Sequence, residues 1–498
     1  MIISGIDAGF SSIKVGVPDS VGKPQLLHNK WGNPKTDSAV FFTEEGDRLT
    51  GEQARNAYQA DQDHGAIGWK NYIGTEETLC IDHQGNEYTA RDLLVVHLQA
   101  VKEAVEQKTG EPVQEITLCH PADYTDRQRW DILQAPKEVG LEVLKLVPEP
   151  TAAALGNELH KRGSCTALTY DLGGWTFDVS IITPKGNLFK VVATDGKSDL
   201  GGRDIDAKLI EKALDRFENE HGFRPNRDEY PVFFQDLTAR IEQLKITLSV
   251  REKATLTISC RGELLQMELT RSELESLIEP EVEETINITQ QVVKDAGLTF
   301  DDIDIVLPVG GGSAIPAVKE ELNRISNGKV SSQVEPLYAA AYGAVIASRI
   351  EKERKHEPYM VGNKSLPSTG MSLEDVVGNP IGVLVLDDNE ELVTDEILSK
   401  NISVPSEQTE LYKPAVPNQT EVLIYVVQAS EGTPKDDATI LGEFELDEIP
   451  PSPDRKGRIE ITFEFDVNGM LRATARDKES GKSAELEIQY REEENDAA

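Results

Sequence analysis

The chain has 498 residues, with 51 Lys and Arg against 88 Asp and Glu, a formal net charge of -37 at pH 7. A surface this acidic repels phosphate backbones and anionic lipid, so nucleic-acid binding and a basic membrane-surface role are disfavoured. The 38% hydrophobic content supports a packed core, the length predicts about two to four domains at roughly 100–200 residues each, and no run approaches the ~18 apolar residues of a membrane span.

The opening segment, MIISGIDAGFSS, carries no basic region or cleavage site, so a cytoplasmic protein is expected. From Met1 to about Ala347, apolar strands alternate with amphipathic helices. Strands are predicted at IISGID, IKVGV, EITLCHP, ALTYDLG, FDVSII, ATLTISC and IDIVLPVGGG, and helices over Arg91–Lys108, Ile205–Asn219 and Ser272–Asp295. Cys80, Cys119, Cys165 and Cys260 are widely spaced with no CxxC pair, the pattern of reduced core cysteines. After this α/β body the stretch EKERKHEPYMVGNKSLPSTG mixes charge, Pro, Gly and Ser without periodicity and reads as a linker. The texture then changes to short strands cut by turns: PIGVLVL, EVLIYVVQ, GRIEITFEFD, GMLRATARD and SAELEIQY. Alternation from Ile459 to Phe465, followed by the Asn468-Gly469 pair, predicts a hairpin. The expected boundaries are a body over 1–348, a linker over 349–375, an all-β domain over 376–492 and an acidic tail over 493–498, with no helical domain after the last strand.

One plan occurs twice. Ile6-Asp7-Ala8-Gly9-Phe10-Ser11-Ser12-Ile13-Lys14-Val15 and Tyr170-Asp171-Leu172-Gly173-Gly174-Trp175-Thr176-Phe177-Asp178-Val179 both read strand, Asp, Gly turn, hydroxyl, strand. An Asp at a strand end before a small-residue turn suits a nucleoside triphosphate and its metal: glycine admits the phosphates, amides and hydroxyls donate to them, and the carboxylate orients Mg²⁺. One such turn is common in ordinary hairpins. Two of them, joined by a third glycine turn at Gly310-Gly311-Gly312-Ser313, point to a phosphate cleft between duplicated halves.

Taken with further blocks, these segments carry a resemblance. The blocks are His120-Pro121-Ala122-Asp123-Tyr124, Pro148-Glu149-Pro150-Thr151-Ala152-Ala153-Ala154, Leu200-Gly201-Gly202-Arg203-Asp204, Ala341-Tyr342-Gly343, Leu441–Leu446 and Ile449-Pro450-Pro451-Ser452-Pro453. In order and spacing the chain resembles the seventy-kilodalton heat-shock chaperone family. The resemblance implies a duplicated, two-lobed actin-like ATPase domain (α/β) followed by a β-sandwich peptide-binding domain, here without the family's helical lid.

It implies ATP hydrolysis to ADP and phosphate, with ATP/ADP and Mg²⁺ as cofactors. Lys70 matches the catalytic lysine, and Glu149, Asp171, Thr176 and Asp178 match the groups around the metal, the attacking water and the γ-phosphate. Asp7 and Asp171 match the carboxylates that hold Mg²⁺ through water. Gly9, Phe10, Ser11, Gly173, Gly174, Trp175, Gly201, Gly202, Gly310, Gly311, Gly312 and Ser313 match phosphate and ribose turns, and Glu242, Lys245 and Ser249 an adenosine helix. Without the resemblance, Lys70 reads as one surface lysine among many, and each carboxylate as a turn or cap residue. Val383, Leu386, Tyr412, Ala415, Val422 and Ile424 match positions that hold an extended peptide, although such alternation equally describes sandwich core. Pro121 and Arg129 match an interdomain relay. Partners implied are unfolded or extended polypeptide clients, a J-domain co-chaperone and a nucleotide-exchange factor.

The chain also departs from the family. Phe10 stands where a phosphate-binding Thr is expected and Trp175 where a glycine is expected, so the Trp175 side chain should point out of the cleft. Ile246 and Ala314 replace two arginines that flank the adenine, and Leu337 replaces a carboxylate. The linker stretch Ser372–Gly378 is less apolar than the family's docking motif, and Asp387–Glu396 reads as a longer, acidic first loop. The leading expectation is an ATP-regulated chaperone. The alternative is a specialised nucleotide switch with weak or no ATPase and one dedicated partner, and a sugar kinase or filament-forming actin relative is a third reading.

Overall fold

The Gly9–Ser11 turn folds back two strands, Ile2–Ala8 and Ser12–Pro18, in an antiparallel register that sets Asp7 opposite Lys14. The structure, a computed structural model, describes the chain except residues 1, 123, 160–164, 186–187, 198, 228, 363, 372, 374, 378–379, 388–390, 400–401, 454–455, 467 and 488–498. It divides into two units, Met1–Ala122 with Gln134–Leu373, and Asp123–Leu133 with Glu374–Ala498.

In the first unit, Ile2–Ala8 runs parallel to Val113–His120, and that strand parallel to Glu142–Pro148. Pro24–Leu26 and Thr36–Asp37 complete the six-stranded sheet. Parallel neighbours need a crossover, and the Ala90–Thr109 helix supplies one. Its start is fixed by Thr89, whose side chain accepts from Asp92 N while the Asp92 carboxylate accepts from Thr89 N at 2.8 Å; Gly110, at φ 72°, ends it.

The plan repeats in the strands Ala167–Leu172 and Phe177–Lys185, antiparallel with Asp171 opposite Asp178, and Ile305–Val309 runs parallel to the first of them. The outer strand Leu188–Lys197 completes four. Beneath them Tyr170, Phe177, Phe217, Phe233 and Phe234 pack with the helices Gly202–His221, Pro231–Val250 and Arg271–Asp295. The buried Tyr170 hydroxyl is satisfied by donating to Thr285 Oγ1 at 2.7 Å.

Two helices, Glu149–Gly156 and Ala339–Arg354, meet through small residues. A Cβ on Gly343 would fall 1.7 Å from Ala152 O, and one on Gly156 would fall 2.1 Å from Ala339 O, so backbone packs on backbone. That is why these helices read Ala-Ala-Ala-Leu-Gly and Ala-Ala-Ala-Tyr-Gly.

The linker reading of 349–375 needs correction in its first part. Helix continues to Arg354, a two-strand hairpin pairs Met360–Val361 with Lys364–Ser365, and Tyr359 is buried with Ile3 and Leu144. Glu353 accepts from Thr369 N at 2.6 Å and from Ser368 Oγ at 2.8 Å, and Arg349 donates to Pro367 O. Within the Ser372–Gly378 motif, Ser372, Glu374 and Gly378 lie outside the described residues, as does the 493–498 tail.

The second unit contains two four-stranded antiparallel sheets. One runs Leu392–Leu398, Ile381–Leu386, Val422–Gln428, Thr439–Leu446; the other Ser406–Tyr412, Ile459–Phe465, Leu471–Asp477, Ser483–Glu487. Their inner faces share a core of Ile381, Val383, Ile424, Val426, Ile461, Phe463, Phe465 and Ala473. Residues Ile459–Phe465 bury every second side chain, as their alternation predicts. Asp466 Oδ1 accepts from Asn468 N and Met470 N, closing the expected hairpin. The acidic stretch 387–396 is only half loop, because Leu392–Leu398 is a strand with Thr394 buried. Inside the second sheet, Arg458 and Asp477 form a buried ion pair at 2.8 Å.

Candidate functional site

Four carboxylates of the first unit converge from separate elements: Asp7 and Asp171 at the ends of the paired first strands, Asp178 on the strand opposite Asp171, and Glu149 at the first residue of its helix. Two lysines answer them. Lys14 Nζ lies 3.2 Å from Asp7 Oδ2 with both side chains buried, and Lys70 Nζ lies 2.5 Å from Glu149 Oε1. The ledger is four potential negative charges against two positive. Protein packed around the Asp171 carboxyl, together with Glu149, Asp178 and Asp7, pushes its pKa well above the usual carboxylate range, and Lys14 only partly offsets this. A site with that excess is built for a further cation. The donor set, all carboxylate oxygen, suits Mg²⁺, with Asp7 and Asp171 the residues that would hold it.

Lys70 sits in the short helical turn Trp69–Tyr72, after Gly68 in the left-handed region at φ 66°. Trp69 beside it is buried and packs 5.5 Å from the His97 ring, whose burial pushes its pKa down to about 3 and keeps it neutral. The lysine therefore rises from a buried aromatic base.

A cavity of about 10 Å³, the room of a single water, is lined by Glu149, Asp171, Asp178, Thr169, Ser180, Pro121, Ala122 and Pro150. Three of the carboxylates thus border one water-sized space.

The glycine turns are packed against one another. Gly173 N donates to Thr176 O at 2.9 Å, Gly202 N to Gly173 O at 3.0 Å and Arg203 N to Gly174 O at 2.8 Å. Gly310, at φ 76°, lies so close to Asp171 that a Cβ would fall 2.5 Å from its Oδ1, and a Cβ on Gly9 would fall 2.9 Å from Lys14 Nζ. Ser313 Oγ donates to Gly310 O at 2.8 Å. Gly312 packs on Leu172, whereas Gly311 has open space around it.

The first and second turns also touch. A Cβ on Gly174 would meet Ser11 Oγ at 2.2 Å. Phe10 and Trp175, the two bulky departures, pack on each other with ring centroids 4.1 Å apart and planes tilted by 44°, and the Arg203 guanidinium lies 3.3 Å over the Trp175 ring. Phe10 is buried against Gly68, where a Cβ would fall 2.5 Å from its ring. Trp175 therefore packs against the first turn. It clasps the residue that replaces the other phosphate-loop side chain.

The positions matched to an adenosine helix are held by protein partners. Lys245 Nζ donates to Gly202 O at 2.7 Å and pairs with Asp206 at 2.7 Å. Glu242 pairs with Arg55 at 3.0 Å, and Ser249 Oγ donates to Lys245 O at 3.1 Å on its own helix. Ile246 is 46% exposed and Ala314 half-buried. Pro121 O accepts from the His120 ring at 2.6 Å, and Arg129, buried, donates to Tyr124 O at 2.7 Å.

In the second unit, Val383 and Ile424 are 2% and 3% exposed and belong to the core, which corrects their reading as groove lining. Leu386 and Ala415 are exposed, while Tyr412 and Val422 are half-buried. The Tyr412 hydroxyl donates to Asp395 Oδ2 at 2.5 Å. Leu411, Val416 and Leu423, each at least 50% exposed, are the apolar surface the sequence reading missed.

Sequence reasoning also missed Lys14, Arg55 and Arg203. Lys14 was within reach, because a hairpin turning at Gly9–Ser11 pairs position 7 with position 14. Arg55 and Arg203 gave no local signal, since their partners Glu242 and Trp175 are distant in the chain. All four cysteines are buried, and burial raises the Cys80 thiol to about 12 and Cys119 well above its usual value. They are inert core residues. No helix among the described residues is long and apolar enough to cross a membrane.

The model of the Hsp70 protein family matches residues 3–79 and 75–498 of the chain.

Proposed function

The chain belongs to the Hsp70 family, and from that premise we propose that it is a Mg²⁺-dependent ATPase that couples ATP hydrolysis to the binding and release of extended apolar polypeptide segments. Members of the family are generally ATPases with chaperone function that use ATP/ADP and Mg²⁺. The observation that carries the reading is the convergence of Glu149, Asp171 and Asp178 on a water-sized cavity, with Asp7 acting on Asp171 and with Lys14 and Lys70 as counter-charges.

Mg²⁺, when bound, neutralises phosphate charge and polarises the bond to be broken. The remaining work falls to this chain's residues. Glu149 and Asp178 border the cavity and accept hydrogen bonds from an attacking water, orienting it and drawing its proton. Lys70 is held by Glu149 until a more negative group competes for it, and then stabilises charge on the transferring phosphoryl group. Thr176 closes the second turn and offers a hydroxyl donor. In the second unit, Leu386, Tyr412, Ala415 and Val422 are the proposed peptide contacts, clients being unfolded or extended chains; J-domain and exchange-factor partners follow from the family alone.

A second reading has its own observation. The Phe10–Trp175 stack fills space between the two phosphate turns, as befits a nucleotide switch that hydrolyses weakly and serves one dedicated partner. A sugar kinase or filament former finds no support, since the family match runs through the β unit. The deciding experiment is the dissociation rate of a fluorescent apolar peptide in Mg-ADP and then after Mg-ATP. Faster release on ATP supports the coupled chaperone. A rate indifferent to ATP overturns it in favour of the switch.

A further inference from the structure

We propose that Asp61, His64 and His83 form a binding site for a zinc-class divalent cation, separate from the carboxylate cleft. One ligand atom from each lies within 4.8 Å of the others. Asp61 and His64 are already joined, Nδ1 to Oδ2, at 2.7 Å, and the His64 and His83 rings stack with centroids 3.7 Å apart and planes 11° from parallel.

The scaffold around the three is fixed independently of any ion. Asp61 ends the helix Glu52–Ala60, its N–H donating to Ala57 O at 3.2 Å while its Oδ1 accepts from Asp63 N at 3.2 Å. His64 O accepts from Phe42 N at 2.9 Å, tying it to the neighbouring sheet. His83 sits at the tip of the hairpin formed by Cys80–Ile81 and Glu87–Tyr88. There Asp82 holds the loop closed, accepting from Gln84 N and Asn86 N at 2.9 Å, from Asn86 Nδ2 at 2.8 Å and from the Tyr88 hydroxyl at 3.0 Å. Ile81 N donates to Asp63 O at 3.2 Å, locking the hairpin against the Asp61–His64 loop.

Chemistry selects the ion. A neutral imidazole offers one ring-nitrogen lone pair to a metal. Two such nitrogens and one carboxylate suit Zn²⁺ or another borderline ion, not Mg²⁺ or Ca²⁺, which take oxygen donors. Donors about 2.0–2.1 Å from a tetrahedral ion stand about 3.4 Å apart, and an imidazole lone pair lies in its ring plane, so the His83 ring at its loop tip must turn out of its stack with His64 to face the ion. The ion displaces the proton between His64 Nδ1 and Asp61 Oδ2, which is released to solvent, and water takes the fourth position. Binding would staple the hairpin to the loop leading into Gly65–Ile67, the strand that runs to Lys70.

The test is a Zn²⁺ titration of the full chain by calorimetry, without nucleotide and in excess Mg²⁺ so that the carboxylate cleft does not compete. Cobalt titration with visible absorption checks the ligand geometry. The expected result is one Zn²⁺ per chain, a d–d spectrum of tetrahedral Co²⁺, and at least tenfold weaker binding with loss of that spectrum in His83→Ala and in His64→Gln. His83→Ala removes a side chain at a loop tip and retains the Asp82 bonds, so it tests ligation without unfolding. Zn²⁺ affinity and Co²⁺ spectrum unchanged in His83→Ala would overturn the assignment.

Discussion

If Phe10 and Trp175 close the space between the phosphate turns, then part of the binding energy of a nucleotide is spent separating them, and removing the clasp should tighten binding. The ring pair at 4.1 Å contributes about 0.5–1.5 kcal/mol beyond its area. Arg203 stacked at 3.3 Å on the same indole adds about 0.5–2 kcal/mol. Arg203, however, is bonded through its backbone N–H to Gly174 O, on the same turn as Trp175, so only the ring pair holds the two turns together, by about 0.5–1.5 kcal/mol, which at ~1.4 kcal/mol per tenfold is about 2- to 12-fold in affinity. Trp175→Gly deletes both contacts. Calorimetry of this variant with Mg-ATP, Mg-ADP and adenosine should show tighter binding of the phosphorylated ligands and no gain for adenosine, which has no phosphate to part the turns. Phe10→Ser should move in the same direction, since it also supplies a hydroxyl donor. A Trp175→Gly protein with unchanged melting temperature that bound Mg-ATP no better than the parent would refute the clasp.

Lys70→Ala should lower single-turnover ATP hydrolysis by at least ~100-fold, the usual loss when one preorganised charge is removed, while nucleotide binding survives; an unaltered single-turnover rate removes Lys70 from the mechanism. Replacing Ile246 and Ala314 together by Arg should tighten ATP binding by about 0.5–2 kcal/mol for each cation that reaches the adenine, and no change in calorimetric affinity means the adenine lies elsewhere. Arg458→Ala strands the buried Asp477 carboxylate and should cost about 3–5 kcal/mol in urea unfolding. Burial raises the Asp477 pKa, but hydrogen bonds from Ser480 and the Arg458 charge prevail and hold it below the ordinary value. That contribution is therefore present above about pH 4 and lost as pH falls through the lower folded value, so a parent-to-variant gap undiminished at pH 2 would contradict it. Gly343→Ala should destabilise the first unit by about 3 kcal/mol or more by driving a methyl into Ala152 O, and a melting temperature equal to the parent's would show that the helices can separate freely.

Much of this was legible in the sequence because the relevant signals are local. The Ala90–Thr109 and Arg271–Asp295 helices announce themselves by periodicity and by Thr-Asp and Thr-Glu capping pairs, and the strand ends bearing Asp7 and Asp171 by their glycine turns. Errors arose where composition and packing disagree. Glu353, Ser368 and Thr369 look like linker residues, yet they bond to one another beside a buried Tyr359. The acidic letters of 387–396 conceal a strand whose Thr394 side chain is buried and donates to Thr433 O. Val383 and Ile424 show why alternation cannot separate groove from core: both demand the same period of two, and only the opposing sheet decides which face is covered.

The departures at Phe10 and Trp175 change meaning once they are seen in contact. Taken singly, each is a loss, one of a hydroxyl donor and the other of a flexible glycine. In the fold they are one feature, because either aromatic alone would leave an apolar ring facing a cleft lined with carboxylates. Phe10 is covered by Gly68 and Trp175, and Trp175 packs against Phe10, Gly68 and Arg203. The same contacts bring Gly68, and with it the turn that carries Lys70, under the control of the clasp. Parting the phosphate turns therefore disturbs the base from which the lysine reaches Glu149. Under the proposed function, ligand entry and the release of Lys70 from its internal partner would then be two consequences of one motion.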